Sequence, residues 1–237
     1  MKIHRFIGGF DLEQEKIDVS DLDLVHQLRD VLRLGPGEEV VLGNGKGKAV
    51  LVRIVELGPG GVVFETVRPV NEKSEPEKQV VLFAAVIKKD NFELVVQKTT
   101  EIGVAQIIPV ISGRTVKLGL SLDRLRKITR EAAEQSGRLS IPEIQEPRSL
   151  EEALTLAREN DLNIFFDGRG GSKDAKTLRV KMAKANKLGI FIGPEGGWTE
   201  EELVLAKALK YPVVSLGKLT LRAETASMIA TYFAVSP

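Results

Sequence analysis

The sequence predicts an α/β protein in two parts, a small β-barrel followed by a larger domain built on a parallel sheet. Three observations carry this. A polar, charged stretch at 70–78 (VNEKSEPEK) has no apolar periodicity and divides the chain. Before it, short Val- and Ile-rich runs are punctuated by turn pairs. After it, apolar runs of strand length alternate with helical patterns, the order of a parallel sheet. We therefore read residues 1–72 as the first domain and 73–237 as the second.

In the first part, strands are expected at 40–42, 49–57 and 62–67. Asn44-Gly45 suits a type I′ hairpin, and Pro36-Gly37 and Pro59-Gly60 mark further turns. One helix interrupts them, with Ser20 as cap, Asp23 closing a capping box, and Val25, Leu28 and Leu32 as its buried stripe. In the second part, 80–87 is a continuous apolar run, as for a strand buried on both faces. A helix follows over 90–102, with Glu93 at its third position and Gly103 as its stop. Then come a strand at 106–111, a helix at 121–136, a strand at 163–166, and a loop and helix over 172–186. A strand at 188–192 leads through a glycine loop to a helix from Thr199. A strand at 213–216 leads to a helix running to the C-terminus.

Composition removes several function classes. The 237 residues carry 34 basic and 33 acidic side chains, a formal charge of +1. Residues 1–75 hold 10 basic against 13 acidic groups, and 76–237 hold 24 against 20, so the second part is mildly basic. The chain has no cysteine and only His4 and His26. That leaves no thiolate metal site, disulfide framework or Cys nucleophile, and almost no material for a histidine triad. No apolar run approaches the ~18 residues of a membrane span, and MKIHRFIGGF has no signal-peptide core. A cytoplasmic protein without metal is the expectation.

Two segments read as candidate chemistry. Residues 192–199 (IGPEGGWT) join a buried strand to a helix on which Thr199 and Glu202 form a capping box. Paired glycines let a ligand approach the backbone, at the strand end where parallel α/β sheets bind ligands. The same stretch reads equally as a tight turn before a well-capped helix, and it is neither a Walker A loop nor a G-x-G-x-x-G fingerprint. Residues 215–226 (SLGKLTLRAETA) again run strand, loop, helix. Arg222 and Glu224 either pair on the surface or face a pocket, Arg222 as an anion or base contact and Glu224 as a proton acceptor. A basic stretch, Arg114, Lys117, Arg124, Arg126, Lys127, Arg130 and Arg138, is either a solvated helix face or a phosphate contact. Lys88 and Lys89 are either a loop pair or a second phosphate contact, and His4, Arg5, Arg29 and Arg33 are candidates for an RNA-facing surface. Trp198 reads as a packing anchor.

QKTTEIGV (97–104), EAAEQSGR (131–138), IGPEGG (192–197) and LRAETA (221–226) occur in this order, with VLR at 31–33. Together they resemble the RsmE family of bacterial ribosomal RNA uridine-N3 methyltransferases, in the SPOUT superfamily. The resemblance implies a PUA-like RNA-recognition barrel followed by a SPOUT domain with a deep trefoil knot. It implies a homodimer that binds S-adenosyl-L-methionine at the knot. The implied substrate is uridine 1498 of 16S rRNA in the assembled 30S subunit. Ile192, Gly193, Pro194, Glu195, Gly196 and Gly197 match the first cofactor loop. Leu216, Gly217, Leu221, Arg222, Thr225 and Ala226 match the second. Phe165 and Phe166 fall at the strand end whose main chain flanks the adenosine. Arg222 and Glu224 are the catalytic candidates. The RNA contacts would be Arg5, Arg29, Arg33, Lys88, Lys89, Arg114, Arg126, Arg130 and Arg138. The sequence departs from the family at Leu219, where Arg is frequent, and at Asp167-Gly168. Rival readings are another SPOUT specificity, a non-catalytic RNA-binding assembly factor, and an anion-binding metabolic enzyme.

Overall fold

A computed structural model describes residues 3–71, 75–115, 119–170 and 175–236. Lys117, the 72/73 boundary and the start of the 172–186 segment lie outside them. Contacts divide the chain into two units, 1–75 with 133–141 and 76–132 with 142–237.

The first unit is a five-stranded sheet. Its order is β1 (Arg5–Ile7), β3 (Glu39–Gly43), β4 (Ala49–Gly58), β5 (Gly61–Pro69), β2 (Lys16–Val19). β1 and β3 run parallel and the other pairs antiparallel. Two register shifts between β4 and β5 bend the long hairpin over its core. That core holds Leu28, Val40, Leu42, Val52, Ile54 and Phe64, all essentially inaccessible. Helix α1 (Leu22–His26) continues as a π-helical turn over Gln27–Val31.

Two local expectations fail here. Asp21, not Ser20, caps α1, because its Oδ1 accepts from Asp23 N at 2.9 Å and Leu24 N at 3.3 Å. The Asn44-Gly45 turn is not a two-residue hairpin. Gly43 pairs with Ala49, leaving a five-residue loop in which Asn44 Oδ1 accepts from Lys46 N and Lys48 N.

Residues 133–141 complete this unit. Leu139 joins Val41, Ala49, Leu51 and Val70 in a small apolar cluster. Glu75 holds the segment: one carboxylate oxygen accepts from the main-chain N–H groups of Leu139 and Ser140, both at 2.9 Å, and the other pairs with Arg138 at 2.7 Å. Arg138 is 6 % exposed, so its guanidinium belongs to the interior. Its assignment as an RNA contact is corrected on that ground.

The second unit is an all-parallel sheet. In chain order its strands are β6 (Gln79–Ala85), β7 (Gln106–Ile111), β8 (Glu143–Ile144), β9 (Arg148–Ser149), β10 (Leu162–Phe166), β11 (Lys187–Ile192) and β12 (Val213–Val214). Spatially the path is β12-β10-β11-β6-β7-β8, with β9 also on β7. On one face lie α2 (Lys89–Ile102), the first part of α3 (Leu122–Ser136), α5 (Ala175–Lys184) and α7 (Ala223–Val235). On the other lie α4 (Leu150–Leu156) and α6 (Glu200–Ala208). The strands are buried on both sides, which explains the unbroken apolar run of β6. Gly103 ends α2 at φ +113°, as its position predicts. The start of α2 differs from expectation. Lys88 precedes it without a side-chain cap, and Asp90 lies within the first turn, where its charge still favours the positive helix end.

Phe83, Phe191 and Phe165 are register partners on β6, β11 and β10. Their rings stack at centroid separations of 4.2 and 4.3 Å, a column through the middle of the sheet.

β12 pairs with the outer side of β10, so the chain crosses β10 after α6 and returns as α7 over β11 and β6. At this crossing the turn after β10 lies against the end of β12. A Cβ at Gly170 would fall 2.5 Å from the Val214 carbonyl carbon. Gly170→Ala is therefore expected to lower unfolding stability by about 1–3 kcal/mol. Gly168→Ala, with nothing within 4 Å, should be neutral or slightly stabilising. Urea midpoints check the pair; equal midpoints would refute the close pass.

Candidate functional site

Three parallel strands end side by side. Phe166 at the end of β10 is the register partner of Ile192 on β11 and of Val214 on β12. The segments leaving these ends carry most of the cofactor residues expected from the sequence, and the structure brings those residues together at one edge of the sheet.

The β11 exit is shaped by Trp198, which is fully buried. A Cβ at Gly193 would lie 3.2 Å from the indole ring, a tight approach that a side chain could make only if the ring shifted. Gly197 has φ +69° and donates its N–H to Pro194 O at 2.8 Å, closing a turn. Gly193 and Pro194 are buried, whereas Glu195 and Gly196 are exposed. The indole N–H donates to Phe166 O at 3.3 Å, so the anchor reading of Trp198 holds. Thr199 and Glu202 form the expected capping box on α6. Glu202 does more than the sequence suggested: its second oxygen accepts from Gly113 N at 2.8 Å, tying in the segment after β7.

The β12 exit is a polar turn. Ser215 Oγ donates to Gly217 O at 2.7 Å and accepts from Gly217 N at 3.3 Å. Leu216 and Leu221 are half-buried. Leu219 is 82 % exposed, so it fills no part of the packed site. Arg222 precedes α7, and Thr225 and Ala226 are half-buried in its first turn.

Arg222 and Glu224 differ sharply. The Arg222 side chain is 85 % exposed, that of Glu224 is 10 % exposed, and Nη1 stands 3.9 Å from Glu224 Oε1. Glu224 Oε2 is buried and has no hydrogen-bond partner among the described residues. Leaving such an oxygen unpaired costs about 1–3 kcal/mol or more. A donor brought by a ligand would satisfy it.

Two arginines fasten the glycine loop, and sequence reasoning gave neither this role. Arg114, read as an RNA contact, donates Nη1 to Gly196 O. Arg169 pairs with Asp167 through Nε at 2.8 Å and Nη2 at 2.9 Å, and Nη2 also donates to Trp198 O at 2.6 Å. Burial works to raise the Asp167 carboxyl. The Arg169 hydrogen bonds and charge outweigh it and hold the group below the usual aspartate range. Asp-x-Arg after a strand was the available signal, at the very position where the sequence departs from the family.

The remaining RNA candidates are dispersed over both units. In the first, Arg5 is half-buried, Arg33 is exposed with φ +55°, and Arg29 is exposed but paired to Asp30 at 2.8 and 2.9 Å. In the second, Lys88 and Arg130 are exposed, Lys89 stands 4.0 Å from Glu93, and Arg126 bonds Asp123 at 3.2 Å. No helix among the described residues is long and apolar enough to cross a membrane.

Comparison with known proteins agrees with this anatomy. Residues 73–234 match the family model described as an RNA methyltransferase domain, and 21–67 match the RNA methyltransferase PUA domain. The chain is 31 % identical over 235 residues to a ribosomal RNA small subunit methyltransferase E from Rickettsia conorii, covering 97 % of this chain and 94 % of that one. A protein of the same name from Bacillus subtilis is 28 % identical, with 87 % and 84 % covered. Among solved structures, the Neisseria gonorrhoeae ribosomal RNA small subunit methyltransferase E bound to S-adenosyl methionine superposes with TM-score 0.87 at 29 % identity. That match covers 97 % of this chain and 95 % of the other. A Legionella pneumophila methyltransferase with bound S-adenosylmethionine gives TM-score 0.87 at 25 % identity, covering 99 % and 97 %. With a PUA-like unit before a SPOUT methyltransferase domain, the chain belongs to the ribosomal RNA small subunit methyltransferase E family.

Proposed function

We propose that this protein transfers a methyl group from S-adenosylmethionine to N3 of a single uridine, uridine 1498 of 16S rRNA, in the assembled 30S subunit, and that it acts as a homodimer. The observation that carries the reading is the buried, unpartnered Glu224 Oε2 at the start of α7, on a chain segment leaving one of three converging strand ends, another of which opens into a glycine loop. The residues present fit the cofactor. The glycines leave backbone exposed to a ligand, and Glu224 Oε2 is left for the substrate base. Phe165 and Phe166, 192–197, Leu216, Gly217, Leu221, Arg222, Thr225 and Ala226 would hold the cofactor. When bound, it supplies an electrophilic methyl group.

Uridine N3 carries a proton that must leave as the new N–C bond forms. Glu224 Oε2, buried and without a partner among the described residues, takes that proton. Arg222, largely solvent-exposed before the base arrives, meets the negative charge that develops on the uracil carbonyl oxygens. The base must be unpaired to reach the site. Exposed cations on both units, Arg33, Lys88 and Arg130 among them, are the candidates for phosphate contacts. Tyr232 and Phe233, 59 % and 50 % exposed on α7, offer apolar surface that a second copy would cover.

Incubation with labelled S-adenosylmethionine and small subunits lacking the modification is expected to yield 3-methyluridine at one site, identified by mass spectrometry of the digested RNA. Methylation of a ribose or another ring nitrogen would reject the N3 assignment, and failure to bind the cofactor would reject the enzyme reading. Glu224→Gln should leave cofactor affinity within about twofold and lower turnover by roughly 10²–10⁴. Unchanged turnover in that variant would remove Glu224 as the base.

A further inference from the structure

The turn after β10 is built around an ion pair that reaches beyond itself. Asp167 is 5 % exposed at its side chain. It receives Arg169 through two guanidinium nitrogens at 2.8 and 2.9 Å and through the Arg169 main-chain N–H at 2.9 Å. This fixes the guanidinium plane. Fixed so, Arg169 spends its other donors on the segment that follows β11, Nη2 on Trp198 O and Nη1 on Glu200 Oε1. From the other side Arg114, after β7, holds Gly196 O. Neither arginine is needed to fold a strand or cap a helix, because Thr199 and Glu202 already cap α6. Both grip carbonyls within or just beyond a loop of three glycines, the segment with most to lose in conformational entropy on ordering.

We propose that Asp167 and Arg169 are positioning residues: with Arg114 as second anchor, they hold the 193–197 loop in its ligand-ready shape before a ligand arrives, and so set cofactor affinity rather than the rate of transfer. The inference rests on the cofactor reading of that loop. A loop that visits its binding shape only part of the time binds more weakly in proportion, while turnover at saturation is unaffected. The clamp persists at neutral pH, because Arg169 keeps the Asp167 carboxyl ionised.

Trp198 is the only tryptophan in the chain, and its indole packs under Gly193. Its emission therefore reports on the packing beneath this loop, with no second tryptophan to mask it. The test compares the full-length protein with Arg169→Ala, Asp167→Asn and Arg169→Lys, with Lys207→Ala on exposed α6 surface as a control for charge loss. Acrylamide quenching is measured without ligand, S-adenosylmethionine and S-adenosylhomocysteine affinities by calorimetry, and kcat at saturating cofactor. For Arg169→Ala and Asp167→Asn we expect easier quenching and about tenfold weaker cofactor binding, the scale of one charge-assisted hydrogen bond, with kcat within twofold. Arg169→Lys keeps the charge but not the fork, and should recover only part of the affinity. Unchanged quenching and affinity in both variants would overturn the proposal, as would a fall in kcat with affinity intact. Should the unaltered protein bind neither cofactor form, the cofactor reading falls; the quenching comparison then still decides whether the clamp orders the loop. If Arg169→Ala fails to fold, Asp167→Asn and Arg169→Lys decide it.

Discussion

A fully buried indole N–H must find an acceptor, and in this protein one carbonyl supplies it. Trp198 donates to Phe166 O, the last residue of β10. That carbonyl is fixed in turn by the stacked rings of Phe83, Phe191 and Phe165, which align β6, β11 and β10. The glycine loop, the capping box of α6 and the turn after β10 all take their places from this point. Losing the pairing would strand a polar group in the buried core.

Around this rigid point the charges are arranged unevenly. One buried carboxylate oxygen, on Glu224, lacks a partner among the described residues. The nearby Arg222 lies almost wholly in water. A protein optimised only for stability would pair them closely and bury neither. Keeping one group desolvated and the other in water has a cost in the free protein and is useful only when something else enters. The overall charge of +1 is consistent with cationic groups deployed locally rather than with a uniformly basic surface.

The strands and helices of the second unit were legible because their signals are local. β7 coincides with its expected span, and Gly103 stops α2 as its spacing demands. The two loops around the site were legible by pattern. From pattern alone, without the family resemblance, their meaning was not, because it depends on which strand ends are neighbours, and β12 lies beside β10 instead of following β11. Asp21 displaced Ser20 as a cap because one carboxylate oxygen serves two amides. β1, β2, β8 and β9 are two to four residues long, too short to show a period. Arg114 and Arg138 look alike in a list of cations. Only tertiary structure separates an arginine that grips Gly196 O from one sealed against Glu75.

The short excursion at 133–141 has a consequence for how the chain can be divided. The sheet of the first unit ends before residue 75, yet Leu139 fills its small cluster and Glu75 closes on main-chain amides more than sixty residues away. A cut after residue 75 leaves the first unit without that filling and Glu75 with nothing to bind. It leaves the other piece carrying a ribbon made for a sheet it no longer has. The two units are interleaved along the sequence, so a ribosome makes residues 76–132 of the second unit before it has completed the first. Neither is a single continuous block of sequence.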